Sequence, residues 1–93
     1  MSALTATQVE TALTKLPDWS LADGALKRRF DFKDFVAALA FVNHVADLAE
    51  AAEHHPDIDI RWNKVTLTLV THDEGGITEK DVRLAREISA LKY

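Results

Sequence analysis

A chain of 93 residues, 47% hydrophobic, with a formal net charge of −4 and no cysteine, reads as one domain over residues 1–93 with no disulfide framework and no thiolate chemistry. No signal peptide or long uninterrupted apolar run points to export or a membrane, so a cytoplasmic protein is expected. The basic residues are scattered, with Lys27-Arg28-Arg29 the only run, which argues against a nucleic-acid surface and suits a solvated strand face. So short a chain buries a modest share of its surface, and a homo-oligomer is expected.

Leu4-Thr5-Ala6-Thr7-Gln8-Val9 opens the first element. Thr5 can cap, Gln8 can reach back and Leu4 can staple onto Val9, so a helix is predicted from Thr5 to Leu16, where Pro17 stops it. Trp19-Ser-Leu21 and Leu26 to Phe32 then form a hairpin through Asp23-Gly24, a pair that tolerates the positive dihedrals of a tight turn.

From Asp34 to Glu53 the apolar positions Phe35, Ala38, Leu39, Val42, Val45, Ala46 and Ala49 recur at three- and four-residue steps, the stripe of a long amphipathic helix. Beyond Pro56 the period switches to two. Ile58, Ile60 and Trp62 alternate with charged residues, and Val65, Leu67 and Leu69 alternate with Thr66, Thr68 and Val70, with Asn63-Lys64 expected at the turn. Gly75-Gly76 breaks the chain, and Thr78 with Asp81 opens a last helix whose Leu84, Ile88 and Leu91 share a face. The order α-β-β-α-β-β-α predicts an α+β, two-layer domain: a four-stranded antiparallel sheet with helices packed on one face.

The densest chemistry lies in Glu50-Ala-Ala-Glu-His54-His55-Pro56, with His72 and Asp81 further along. Histidine, with an ordinary pKa of about 6.5, gives and takes protons near neutrality, so three imidazoles among carboxylates suggest acid-base work. Glu50 stands four residues before His54, which on a helix puts the two on one face. Glu53, Asp57, Asp73 and Glu74 and the carboxyl end of the long helix add negative potential, a setting suited to an imidazole serving as acid. Each residue also has a plainer reading. Asp81 is the fourth residue of Thr78-x-x-Asp81 and would close a helix start whatever the function. Trp62 extends the Ile58 and Ile60 face and suits a core. His44 lies within the long helix, structural or exposed.

The pattern Glu50-x3-His54-His55-Pro56-x5-Trp62-x9-His72-x8-Asp81 resembles the signature of the pterin-4a-carbinolamine dehydratases, and the element order matches that family's layout over nearly the whole chain. Phe30-Asp-Phe32-Lys-Asp-Phe35 and Asn63-Lys64-Val65 are also similar to the family. The resemblance implies dehydration of a 4a-hydroxytetrahydropterin to the quinonoid dihydropterin, which regenerates the cofactor of an aromatic amino-acid hydroxylase. Hydroxide leaves carbon 4a while nitrogen 5 loses its proton, and two histidines suffice with no metal and no cofactor. A general acid-base contribution of roughly 10²- to 10⁴-fold is adequate.

On that resemblance His54 and His72 form the acid-base pair, and His55 holds and orients the pterin. Glu50 orients a histidine, while Pro56, Trp62 and Asp81 complete the edge of the site. One departure is Ile58, where many members carry an aromatic residue. The expected partners are a small pterin and further copies of the chain, a homodimer or homotetramer built through helices and sheet edges, with Phe41 and Val45 available for self-association. No nucleic acid and no membrane is expected. Two other readings remain: a divalent-metal site, whose ligand spacing fits no common motif, and a dimerisation scaffold for a transcription factor, without essential catalysis.

Overall fold

In a computed structural model, which describes residues 2–92, the elements follow in the predicted order. Helix α1 spans Ala6–Leu13 and opens with the expected capping box: the Gln8 N–H donates to Thr5 Oγ1 at 3.2 Å, and the Thr5 N–H donates to Gln8 Oε1 at 2.9 Å. The helix ends before the predicted Leu16. From Thr14 onward the backbone bonds tighten to three-residue spacing, and the Thr14 hydroxyl donates to the Thr11 carbonyl at 2.6 Å, so the last turn is wound down before Pro17 is reached.

Strands β1 (Ser20–Ala22) and β2 (Ala25–Asp31) join through Asp23 and Gly24, both at positive φ (52° and 77°), as a tight hairpin requires. Helix α2 spans Phe35–Ala52, with the Asp34 carboxylate accepting from the Ala37 N–H at 2.9 Å. Strands β3 (Asp57–Arg61) and β4 (Lys64–Leu69) follow, then a single 3-10 turn over His72–Glu74, and helix α3 over Glu79–Ser89. The turn of the second hairpin is Trp62-Asn63, one residue earlier than expected, because Lys64 already pairs with Arg61 and Asp31.

The sheet order is β1-β2-β4-β3, antiparallel throughout. Leu26 faces Leu69 and Phe30 faces Val65 across the β2–β4 pair, so one sheet face carries an apolar row. These residues and Leu67 pack with Phe41, Val45, Leu84 and Ile88 from the helices into one core. That is the helix-on-one-face, α+β architecture the period changes predicted. Burying such side chains holds the layers together, and truncating a fully buried leucine such as Leu67 costs about 2–5 kcal/mol.

Three local expectations are corrected. Phe41 and Val45 are buried in the core and unavailable for self-association, and α2 instead exposes Phe35, Val36 and Leu39. Arg28 does not lie on the solvated strand face. It sits under the helices, stacked over the Phe30 ring at 4.1 Å, paired with Asp18 at 3.5 Å and donating to Ser89 Oγ at 3.3 Å. Trp62 does not continue the Ile58 and Ile60 face, because at φ +50° it occupies the hairpin tip with its ring in solvent. Its neighbour Asn63 pins that tip to β2: the Asn63 side chain donates to the Phe32 carbonyl at 2.8 Å, and the Phe32 N–H donates to the Asn63 carbonyl at 2.9 Å.

Helix α2 is long and apolar enough to cross a membrane, with a mean hydropathy of 1.4 over 18 residues. Its Ala38, Phe41, Val45 and Ala49 are spent on the protein core.

Candidate active site

Where α2 ends decides where the imidazoles go. The helix stops at Ala52, ahead of Pro56, because Glu53 adopts the left-handed conformation (φ 53°, ψ 38°). The Glu53 N–H then bonds the Glu50 carbonyl at 3.2 Å and the His54 N–H bonds the Ala49 carbonyl at 3.1 Å. This paired closure satisfies the orphan carbonyls of the last turn and is usually built on glycine. The chain leaves the helix axis before either histidine. His54 and His55 therefore do not continue the helical face that Glu50 occupies, and Pro56 starts the run into β3.

The consequence is an exchange of partners. Glu50 was expected beside His54, yet its carboxylate pairs with His55 Nε2 on the exposed side of the turn. His54 turns inward, and its Nε2 meets Asp81 Oδ1 at the start of α3. The outer pair is surface-exposed at both ends and contributes little to stability. The inner pair is different: Asp81 is fully buried, and the His54 side chain is 11% exposed.

Asp81 is the node of the site. Its Oδ2 accepts from the Thr78 N–H at 2.9 Å, which closes the predicted capping box at the head of α3, and from the Thr71 hydroxyl at 2.8 Å. Its Oδ1 takes His54. A carboxylate receiving several donors is an acceptor at each bond, so His54 carries its proton on Nε2 and donates it there. In the neutral ring this leaves Nδ1, which has no hydrogen-bond partner among the described residues, as the nitrogen able to take a proton.

Thr71 immediately precedes His72, so the carboxylate that holds His54 also holds the chain at the root of His72. His72 opens the 3-10 turn, which Gly75 closes at φ 72° and a Thr71–Gly76 bridge ties off. Its imidazole is exposed and makes no hydrogen bond with the described residues. A hollow of about 170 Å³ lined by Thr71, Asp73, Glu74, Thr78 and Lys80 opens beside this turn. A larger one of about 340 Å³, lined by Ala51, Ala52, Glu79, Lys80, Arg83 and Glu87, contains no histidine and offers no acid-base pair. Chemistry, ahead of size, therefore makes the Asp81 node the candidate site.

Of the residues singled out from sequence, His54, Asp81 and the base of His72 converge, and His55 with Glu50 flank them. Pro56 borders the cluster as the link to β3. Trp62 is separated: it stands just past the five residues of β3, six positions beyond Pro56 and roughly 20 Å from it along the strand. Thr71 was missed, and Thr78 was read only as the helix cap, without its bond to Thr71. The available signal was Thr71 itself, a hydroxyl placed just after an apolar strand and just before a candidate histidine. Among the described residues, no group of three or more His, Cys, Asp or Glu side chains is arranged to hold a metal ion.

The family model for pterin 4 alpha carbinolamine dehydratase matches residues 2–91. A protein of Mycobacterium sp. (strain KMS), provisionally named a pterin-4-alpha-carbinolamine dehydratase, is 55% identical over 91 residues, covering 98% of this chain and 97% of its own. One from Acidobacterium capsulatum, with the same provisional name, is 56% identical and covers 98% and 99%. Among solved structures, a transcriptional coactivator/pterin dehydratase from Brucella melitensis superposes with a TM-score of 0.91 at 40% identity, covering 96% of this chain and 97% of that one. A pterin dehydratase-like protein identified as a RuBisCO assembly factor of the alpha-carboxysome superposes at 0.62 with 26% identity, covering 77% and 83%.

Proposed function

This chain belongs to the pterin-4a-carbinolamine dehydratase family, and from that premise we propose that it is a cytoplasmic hydro-lyase that dehydrates a 4a-hydroxytetrahydropterin to the quinonoid dihydropterin by histidine acid-base catalysis. The observation that carries this reading is the shared anchor. One buried carboxylate fixes His54 through Oδ1 and the backbone beneath His72 through Thr71 and Oδ2. The reaction needs the leaving hydroxyl protonated at carbon 4a and a proton removed from nitrogen 5, and a common anchor for His54 and for the chain just before His72 supports assigning those two transfers to them.

His54, with Nδ1 free and Nε2 held, is the proton acceptor, and the exposed His72 is the donor to the leaving oxygen. His55, oriented by Glu50, grips the pterin at the outer rim. No electrons are transferred and the C–O bond breaks heterolytically, so the step needs neither a metal nor a redox cofactor. The same reading places the protein in the recycling of tetrahydrobiopterin after an aromatic amino-acid hydroxylase has oxidised it.

The test follows the ultraviolet decay of freshly generated 4a-hydroxytetrahydropterin with the wild type and with a His54→Ala, His55→Ala, His72→Ala triple variant. Acceleration by the wild type alone is expected. A wild type that leaves the decay rate unchanged would remove the dehydratase reading.

A scaffold role stands second. It is favoured by the apolar outer stripe of α2 and by the coactivator description of the Brucella melitensis relative. A regulator retained at stoichiometric amounts by the histidine-free triple variant would favour it.

A further inference from the structure

The hydroxyls around Asp81 form a chain whose direction is fixed at both ends. Thr78 Oγ1 accepts from the Lys80 N–H at 3.2 Å as the helix cap, so its own proton is free to point elsewhere. The polar atom within reach is Thr71 Oγ1, at 2.8 Å. Thr71 accepts that proton and gives its own to Asp81 Oδ2, also at 2.8 Å. Thr78 and Asp81 are completely buried, so neither can replace a lost partner with bulk water. The order is therefore Thr78 to Thr71 to Asp81, with His54 donating to the other carboxylate oxygen. Every buried side-chain polar atom among the described residues is satisfied by this arrangement or another.

The backbone of the same residue closes the neighbouring turn. The Thr71 N–H bonds the Gly76 carbonyl at 3.0 Å, and the Thr71 carbonyl accepts from Glu74 at 3.1 Å and from Gly76 at 3.3 Å. His72 is the first residue inside that closure.

We propose that Thr71 is a positioning residue: its hydroxyl locks the Asp81 carboxylate so that His54 keeps its proton on Nε2 and leaves Nδ1 free, while its backbone fixes the turn that carries His72. The kinetic part of this inference rests on the dehydratase reading, and the part about His54 does not. Removing the hydroxyl strands a buried donor on Thr78 and takes one donor from Asp81 Oδ2. Held at Oδ2 by the Thr78 N–H alone, the carboxylate is freer to turn about its side-chain bonds, which loosens the Oδ1 contact that selects the His54 tautomer.

The experiment compares the wild type with Thr71→Val, which keeps the shape and deletes the hydroxyl, and Thr71→Ser, which restores it. Nitrogen-15 spectra of the histidines are recorded without substrate at about pH 9, where an ordinary imidazole is neutral. The wild type and Thr71→Ser are expected to show His54 protonated on Nε2, and Thr71→Val to show a mixture of both tautomers. In turnover, Thr71→Val is expected to lose about tenfold or more in kcat, with KM changed by less than about twofold, and Thr71→Ser to recover most of the loss. A Thr71→Val protein with the wild-type tautomer overturns the proposal, as does a Thr71→Ser protein as impaired as Thr71→Val. Should Thr71→Val fail to fold, the wild-type spectrum still decides, because His54 protonated on Nδ1 contradicts the network. A wild type without dehydratase activity removes the proposed function and leaves the tautomer result standing on its own.

Discussion

His54 and Asp81, 27 residues apart in the chain, meet side chain to side chain where the end of α2 faces the start of α3. The two oxygens of that carboxylate divide their work: Oδ2 caps α3 and receives Thr71, and Oδ1 receives His54. The helix cap and the histidine contact are held by one side chain at once.

Asp81→Asn separates them. The amide oxygen can still accept from Thr78 and Thr71, which turns the amide nitrogen, a donor only, toward His54 Nε2. His54 must then accept there and carry its proton on Nδ1, the reverse of the arrangement the site needs. A wrong tautomer in an otherwise intact site is costly, and kcat is expected to fall by roughly 10²-fold or more with the fold retained. Steady-state kinetics alongside far-ultraviolet circular dichroism checks this. A kcat within fivefold of wild type would leave Asp81 a cap and nothing else.

The element order and the sheet's apolar face were legible because they rest on periodicity, which is local: a two-residue alternation in β4 and a three-to-four spacing in α2 each declare a buried face. The partners of the histidines were not legible. A single left-handed residue, Glu53, redirects the chain by an amount that no spacing rule carries, and it moved Glu50 from His54 to His55. Trp62 failed for a related reason. Alternation assigns a side to each strand residue, and Trp62 is the first residue off the strand. The Asp81 node depends on α2 and α3 being packed together, a tertiary fact of which the sequence printed only the capping half.

Glu53 itself makes the next prediction. A side chain at φ 53° is held in a region that favours glycine, and the closure it terminates is one that glycine commonly builds. Glu53→Gly is expected to raise stability by about 0.5–1 kcal/mol, moving the melting temperature up by roughly 2–8 °C. Turnover should stay within about twofold, since the backbone path to His54 is unchanged. Thermal unfolding followed by circular dichroism measures the shift, and a lower melting temperature would mean that the Glu53 side chain makes a stabilising interaction of its own.

Trp62 combines the same strain with an exposed ring, 64% accessible, at the tip of the second hairpin. Asparagine tolerates the left-handed region far better than a bulky aromatic residue does. Trp62→Asn is expected to gain about 0.5–1 kcal/mol and to keep kcat/KM within about twofold, because the tip is remote from the Asp81 node. A large loss of turnover would show that Trp62 reaches a pterin after all, which its position permits only if another copy of the chain brings the two together.

Self-association is best tested on the outer face of α2, because the core residues Phe41 and Val45 cannot take part in it. Val36 is 74% exposed and Leu39 37%, and at three-residue spacing they sit side by side on the helix surface. An apolar stripe left open on a helix of this hydropathy is the kind of surface that a second copy covers, and symmetry would repeat each residue across the contact. Val36→Glu with Leu39→Glu places like charges on both sides of such a contact while leaving the core of the single chain alone. The double variant is expected to sediment as a smaller species than the wild type and to keep its circular dichroism spectrum. Equal sedimentation of the two proteins would rule this face out as the contact, and a smaller species that retains full turnover would place the complete active site within one chain.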